Sequence, residues 1–322
     1  MCKVIGIDIS KQTFDVAFEE KNKWHHKVCK NNLKGFKELA SYMDEDSRVV
    51  MEASGPYYLQ LAMYIHKLGV KVSVVNPLVI RRYSQMKLLR AKTDKKDAQT
   101  IAEYGKEQKP SLWKPQDETI IHLRQIHTSL ELLEKQIRQT KNQLEAFQSS
   151  GIICKEVKHE LKQQIRTLEK RKQRLEEKMN ELSEQEYSET LARLESIPGI
   201  GRKTAIMLTV ITNNFKNFET SKQLIAYVGF SPRKYESGTS VRGKGHICKM
   251  GKAQIRKLLY LCSWSAKKCN KSCIEMYKRL KEKGKPERVI KIAIANKLIK
   301  QAFAIGKYER NYNENFQPNT CF

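Results

Sequence analysis

Residues 4–8 read Val-Ile-Gly-Ile-Asp, and residues 48–52 read Arg-Val-Val-Met-Glu. Each is a short apolar run of the kind that fills a buried strand, and each ends in a carboxylate, Asp8 and Glu52. Working outward, Phe14 to Phe18 and Lys23 to Lys30 read as two more strands, and Gly35 to Tyr42 as a short helix. Pro56 is expected to open a helix running to Leu68, because proline in a first helical turn forfeits no hydrogen bond, and Gly69 to stop it. Lys71 to Asn76 gives a further strand, and Pro77 opens the next segment.

Over residues 1–115 the order is therefore β-β-β-α-β-α-β-α, the chain order of an RNase H-like α/β domain. In such a sheet the ends of the first and fourth strands are neighbours, and a following helix crosses beside them. Asp94 and Asp97 lie three apart in AKTDKKDAQTIAEY, so on a helix they share a face. Asp8, Glu52, Asp94 and Asp97 are then expected to converge. Four carboxylates at one spot repel one another unless cations neutralise them, and an all-oxygen donor set suits Mg²⁺ or Mn²⁺. Two such ions about 4 Å apart can clamp the attacking and leaving oxygens of a phosphodiester. Asp15 and Asp46 read as ordinary surface acids.

The 322 residues carry 61 Lys+Arg against 35 Asp+Glu, a formal charge of +26, with 40% hydrophobic residues. That is too apolar for a disordered basic tail. The charge is unevenly spread: +2 over residues 1–80, +6 over 81–115, −1 over 116–195 and +19 over 196–322. A concentrated positive field attracts polyanions through phosphate contacts and counterion release. No run reaches the roughly 18 apolar residues of a membrane span. The opening MCKVIGIDIS does not read as a secretory signal, so the chain is expected in the cytoplasm, associated with the nucleoid when bound. The eight cysteines include no CxxC pair, which argues for reduced thiols and against a zinc site.

Residues 116–195 read as an arm. Leu123, Ile126, Leu130, Leu133, Ile137 and Leu144 form one heptad-like seam, Ser149-Ser150-Gly151 interrupts it, and Leu161, Ile165, Leu168, Leu175, Met179 and Leu182 form another. The expected product is an antiparallel coiled-coil hairpin about 40 Å long, either a bundle within one chain or a dimerisation arm. Residues 196–307 read as a helical domain, with helices over 252–268 and 287–305, and 308–322 as a loose tail. Gly199-Ile200-Gly201, ahead of Arg202, Lys203 and an apolar helix, has the form of a helix-hairpin-helix turn, whose backbone N–H groups can hold a DNA phosphate. Residues 231–248 read as a polar loop. Within 232–256 stand Arg233, Lys234, Arg242, Lys244, Lys249, Lys252 and Arg256 against a single acid, Glu236. Ser237, followed by Gly238, sits among these cations, where a serine could attack phosphate; Ser-Gly in a polar loop is also an ordinary structural turn.

Taken together, these motifs resemble the DEDD transposases of the insertion sequence one-ten family and the related Piv-type invertases. GIDIS, VVMEASGPYY and KTDKKDA carry the RuvC-like half. LESIPGIGRKTA, AYVGFSPRKYESG and ICKMGKAQIR carry the second half. Cys248 stands where the family more often has Ser or Thr, and Gly229-Phe230-Ser231-Pro232 departs from the usual Gly-Leu-x-Pro. The resemblance implies that the four acids bind divalent metal and that Ser237 forms a transient phosphoserine link to DNA, so that strands are exchanged without ATP. It also implies a structured guide RNA. Ser237 lies 140 residues from Asp97, beyond the arm. The composite site is therefore expected to assemble between protomers of a homodimer or homotetramer held by the arm. Beyond the loop, Arg81, Arg82, Lys92, Lys95 and Lys96 are the expected nucleic-acid contacts.

Two other classes fit the same residues. A junction-type nuclease would use the acids with water as nucleophile, and its cutting would survive Ser237→Ala. A non-enzymatic DNA-bridging protein would bind regardless of Mg²⁺ or Asp8. His25, His26, Tyr57 and Tyr58 read as strand or core residues. His246 could touch phosphate, Tyr235 is a minor candidate nucleophile, and Trp113 is expected to anchor the end of the first domain.

Overall fold

The computed structural model describes residues 3–89, 93–233, 236–237, 241–243 and 245–315. The chain divides into two compact units, residues 1–115 and 116–322. The architecture is α/β in the first and predominantly helical in the second.

The first unit holds strands β1 (Val4–Ile9), β2 (Thr13–Glu20), β3 (Lys23–Lys30), β4 (Arg48–Glu52) and β5 (Lys71–Val75), with helices α1 (Leu33–Ala40), α2 (Tyr58–Lys67), α3 (Pro77–Met86) and α4 (Asp94–Gln108). The sheet order is β3-β2-β1-β4-β5. The first three strands pair antiparallel, whereas β1–β4 and β4–β5 are parallel. Alternation along the strands assigns the faces. Ile5, Ile7, Ile9, Val49 and Met51 pack with Phe36, Leu39, Leu61 and Ile65 of α1 and α2. Val4 and Val50 pack on the other side with Ile80 of α3 and Ile101 of α4. Asp8 and Glu52 share the period of Val4 and Val50, so both belong to the α4 side.

Two glycines let α4 lie directly on the sheet. A Cβ at Gly6 of β1 would stand 2.2 Å from the Ala98 carbonyl oxygen and 2.4 Å from the Ala102 nitrogen. One at Gly105 of α4 would meet Val50 at 2.6 Å and Val4 at 2.9 Å. Helix α2 begins two residues later than Pro56 suggested. Pro56 sits in a preceding turn, where its carbonyl accepts from the Leu59 N–H at 3.2 Å, a shorter-range bond than the helical one. Trp113 donates its backbone N–H to the Val72 carbonyl at 2.8 Å and sets its ring edge-on to His66.

The second unit comprises α5 (Glu118–Ser149), α6 (Lys155–Glu195), α7 (Arg202–Thr212), α8 (Ser221–Val228), β6 (Pro232–Arg233), β7 (Glu236–Ser237), β8 (Val241–Arg242), β9 (His246–Ile247), α9 (Ala253–Cys269), α10 (Lys271–Glu282) and α11 (Glu287–Tyr308). Helices α5 and α6 form an antiparallel hairpin, with Ile137, Ile165 and Leu168 buried along it and Lys141 paired to Glu169 at 2.7 Å. At 1.5 Å per residue α5 is about 48 Å long, somewhat beyond the expected reach. The base of the hairpin is part of the unit's core. Ile120, Leu123, Leu130, Met179, Leu191 and Leu194 pack with α7, α9 and α11 around Leu208, Leu259 and Leu298. Helix α6 is kinked at Tyr187 (φ −132°, ψ 20°).

Within residues 231–248 the described residues are not a plain loop. They form two short antiparallel ladders, β6 with β9 and β7 with β8. Helix α10 is capped by Asn270, whose side chain accepts from the Cys273 N–H, and buries Cys273. Among the described residues no helix is long and apolar enough to cross a membrane.

Candidate active site

Each acid of the first unit is placed by a distinct local cause. Asp8 is the penultimate residue of β1, and the register Ile7 to Met51 sets Glu52 beside it on the parallel neighbour. Thr93 caps α4 by accepting the Lys96 N–H at 3.2 Å, which starts the helix at Asp94. Asp94 and Asp97 then fall in its first turn, where the helix dipole favours negative charge.

Oxygens of Asp8, Asp94 and Asp97 all lie within 4.8 Å of one another. Asp94 is exposed, whereas Asp8 and Asp97 are half-buried. Burial, then the charge of Asp97, then Glu52 and Asp94, pushes the Asp8 carboxyl up from 3.8 to about 6. Asp8 therefore feels Glu52, although Glu52 stands outside the three-residue group; its carboxylate accepts from the Ser54 hydroxyl at 3.3 Å. Crowded carboxylates whose negative charges oppose one another, with oxygen as the sole donor type, fit a hard divalent cation.

Asp15 is not the plain surface acid that the sequence suggested. It stands opposite Asp8 across the β1–β2 ladder, is half-buried, and pairs with His26 Nε2 at 2.7 Å. It also contributes to the rise at Asp8. The only sequence signal was the alternation that turns Asp15 and Asp8 to one face; the partnership with His26 depends on the β2–β3 register.

The expected nucleic-acid contacts fall into different settings. Arg81 and Arg82 are exposed on α3, with Arg82 donating to Gln85 at 2.9 Å. Lys95 and Lys96 are exposed in the first turn of α4, beside the acids. Gly199 has φ +101°, and a Cβ there would stand 2.6 Å from that of Ala266, so the turn seats directly on α9. Gly201 caps α7. The two cations that follow are already engaged by the arm and its base: Arg202 pairs with Glu184 and, at 3.2 Å, with Glu195, while Lys203 pairs with Glu134 at 3.0 Å. Arg233 of β6 is exposed opposite His246 of β9, and Lys249 and Lys252 are exposed before α9. Arg256 donates to the Val228 carbonyl at 2.8 Å and so helps to close the end of α8. Ser237 pairs with Val241, and Glu236 with Arg242, in the β7–β8 ladder. Lys92, Lys234, Tyr235, Gly238 and Lys244 lie outside the described residues.

An acidic cluster fit for a divalent cation, in a chain whose excess positive charge suits polyanions, defines an enzyme that works on nucleic acid. Comparison with known proteins makes the class specific. Residues 5–149 match a family model described as transposase, and residues 191–278 match one described as transposase IS116/IS110/IS902 family. The chain is similar to the pilin gene-inverting protein of Moraxella lacunata, at 30% identity over 96% of this chain and 97% of the relative. It is 31% identical to that of Moraxella bovis, over 96% and 97%. The transposase for insertion sequence element IS1328 of Yersinia enterocolitica is 27% identical over 81% of this chain and 82% of its own. The chain belongs to the IS110 family of transposases and DNA invertases, enzymes that cleave and rejoin DNA.

Proposed function

We propose that this protein recombines DNA through a serine–DNA intermediate, with Asp8, Glu52, Asp94 and Asp97 holding divalent metal, Mg²⁺ or Mn²⁺. The observation that carries the reading is the mutual approach of the Asp8, Asp94 and Asp97 carboxylates, with the Asp8 carboxyl pushed up by burial and then by the charges of Asp97, Glu52 and Asp94. The metal, when bound, would polarise a phosphodiester and stabilise charge on its oxygens.

The protein's own groups do the rest. The β1 and β4 termini hold Asp8 and Glu52 in register, and the capped first turn of α4 holds the other two acids. Ser237 supplies the attacking hydroxyl. Its oxygen forms a new bond to phosphorus while a deoxyribose oxygen leaves with a proton; a deoxyribose hydroxyl from another strand then reverses the step. One phosphodiester replaces another at each transfer, so no ATP is consumed. Cations of the 232–256 segment would neutralise the developing charge.

The sheet order β3-β2-β1-β4-β5 with α4 laid on β1 supports an RNase H-like reading of residues 1–115. The α5–α6 hairpin supports a coiled-coil arm over 116–195 through which a dimer or tetramer forms, ahead of a helical domain over 196–307. Relatives called pilin gene-inverting protein make inversion of a DNA segment one form that the recombination takes here. A structured guide RNA is part of the same reading, supported by the family and by a charge of +26. Nucleic-acid contacts are assigned to the Arg81–Lys96 block, the Gly199–Lys203 turn and the 233–256 segment.

The test is strand exchange with Mg²⁺, element-end DNA, target and flanking transcript, scored for a protein–DNA adduct on denaturing gels. An adduct in the wild type that vanishes in Ser237→Ala is the expected result. Metal-dependent cutting without an adduct, unchanged in the variant, would replace this reading with a water-using nuclease.

A further inference from the structure

The head of α7 and the turn between α10 and α11 both look basic in sequence, yet they differ in the folded unit. At the head of α7, Arg202 and Lys203 are neutralised by Glu184, Glu195 and Glu134. The α10–α11 turn is the opposite case. Lys278, Arg279, Lys281, Lys283, Lys285 and Arg288 fall within eleven residues and are all exposed. Only two acids interrupt them, Glu282 and Glu287. Glu287 is turned to its own unit, where it accepts from Lys267 at 2.7 Å and from Tyr277 at 3.0 Å and lies 3.5 Å from Lys291. Among the described residues none of the six cations forms an ion pair with a carboxylate, although Lys281 lies over the Tyr277 ring at 5.8 Å.

Six like charges on the end of α10, the turn and the start of α11 repel one another until an anion arrives. The turn is open, because Gly284, at φ +64°, has nothing within 4 Å of where a Cβ would stand. Helix α11 starts here behind Pro286, whose side chain caps nothing, so the positive end of a 22-residue helix adds to the field. Residues 278–289 contain no aromatic ring and no Asn or Gln, and the adjoining Tyr277 ring is already engaged, with Lys267 and Lys281 over its face and its hydroxyl on Glu287. Single-stranded nucleic acid is held by such rings, and bases are read by such amides. Charge without either fits the regular phosphate rails of a duplex.

We propose that the α10–α11 turn is a docking surface for the phosphate backbone of duplex DNA, contacted without base readout, and that it outweighs the head of α7 in the affinity of the chain for DNA. This rests on the reading of the chain as a DNA recombinase and specifies where its second unit grips the substrate.

The experiment measures binding of the intact chain to a fluorescent DNA duplex of arbitrary sequence across a salt series. The variants are Lys278→Gln/Lys281→Gln/Lys285→Gln and Arg202→Gln/Lys203→Gln. All three positions of the first are exposed, and unchanged circular dichroism and melting verify the fold. Three lost phosphate contacts lower the log–log salt slope by up to about 2.7 and the affinity near 0.15 M salt by roughly 100-fold. The α7 double variant changes the slope by less than about 1. Affinity unchanged in the triple variant, affinity lost in the α7 variant instead, or a preference for duplex RNA overturns the proposal alone. A wild-type chain with no salt-dependent affinity for duplex DNA overturns both this and the recombinase reading, whereas normal binding without any serine adduct overturns only the latter.

Discussion

Replacing Asp8 by Asn should stabilise the metal-free protein while destroying its ability to use metal. In the folded chain the Asp8 carboxyl is pushed from 3.8 to about 6 by burial and by Asp97, Glu52 and Asp94. At about 1.4 kcal/mol per pH unit, that interval is an electrostatic penalty of about 3 kcal/mol on the ionised form. Asp8 is only half-buried, and solvent screening reduces the figure to about 1–2 kcal/mol. Asn keeps the shape and removes the charge, so in EDTA near neutral pH the melting temperature of the first unit should rise by about 4–8 °C. The sign can be checked by titration. Between 3.8 and about 6 the folded chain holds a proton that the unfolded chain has released, so this group's contribution to stability falls as pH rises through that window and stays lost above it. Asp8→Asn should lack that component. Hydrogen exchange of the β1, β4 and α4 peptides in the intact chain, with and without Mg²⁺, reads the first unit directly. Wild type should gain protection from Mg²⁺, and the variant should gain little. An Asp8→Asn chain that melts at or below wild type in EDTA, or gains as much from Mg²⁺, would refute the argument.

Other predictions concern assembly and packing. Mixing Asp8→Ala and Ser237→Ala proteins should restore adduct formation if acids and serine act from different protomers; an inactive mixture, with each variant folded and binding DNA, argues for one chain supplying both. EDTA should abolish the adduct but leave duplex binding in gel shift nearly unchanged, because affinity comes from cations rather than from the acids. Gly6→Ala should lower the stability of the first unit by about 3 kcal/mol or more, since the new methyl would collide with the α4 backbone at Ala98 and Ala102; calorimetry would show it. Thr93→Ala should weaken the first turn of α4 by about 1 kcal/mol and raise the Mg²⁺ concentration needed for half-maximal adduct formation, since it loosens Asp94 and Asp97 together.

The acids were legible because the strands that carry them are short, apolar and end in carboxylates, and because Asp94 and Asp97 keep helical spacing. The face that Asp8 and Glu52 share follows from the two-residue period alone. Other features depend on partners distant in sequence. Arg202 and Lys203 read as free cations until Glu134, Glu184 and Glu195 are brought beside them by the hairpin. Asp15 read as a decoy because His26 reaches it only across the β2–β3 ladder. The contact of Arg256 with the Val228 carbonyl at the end of α8 joins residues 28 apart and leaves no local mark in the sequence. The ladders within 232–247 were invisible because each strand is two residues long, too short for alternation to register.

Helix α6 runs from the tip of the hairpin to the core that α7, α9 and α11 share, and its single break, at Tyr187, lies close to that core. Distal to it, Leu175, Met179 and Leu182 still pack on that core, so the stretch of α6 that projects beyond it is residues 155–174, about 30 Å long. A bend of about 10° where the hairpin leaves the core moves the tip by about 5 Å, and the same leverage works in reverse. A modest force applied at the tip, such as contact with another protomer, arrives at the base multiplied. There Glu184, Glu195 and Glu134 hold Arg202 and Lys203, so movement of the arm would loosen or tighten those pairs and change how much positive charge the head of α7 presents.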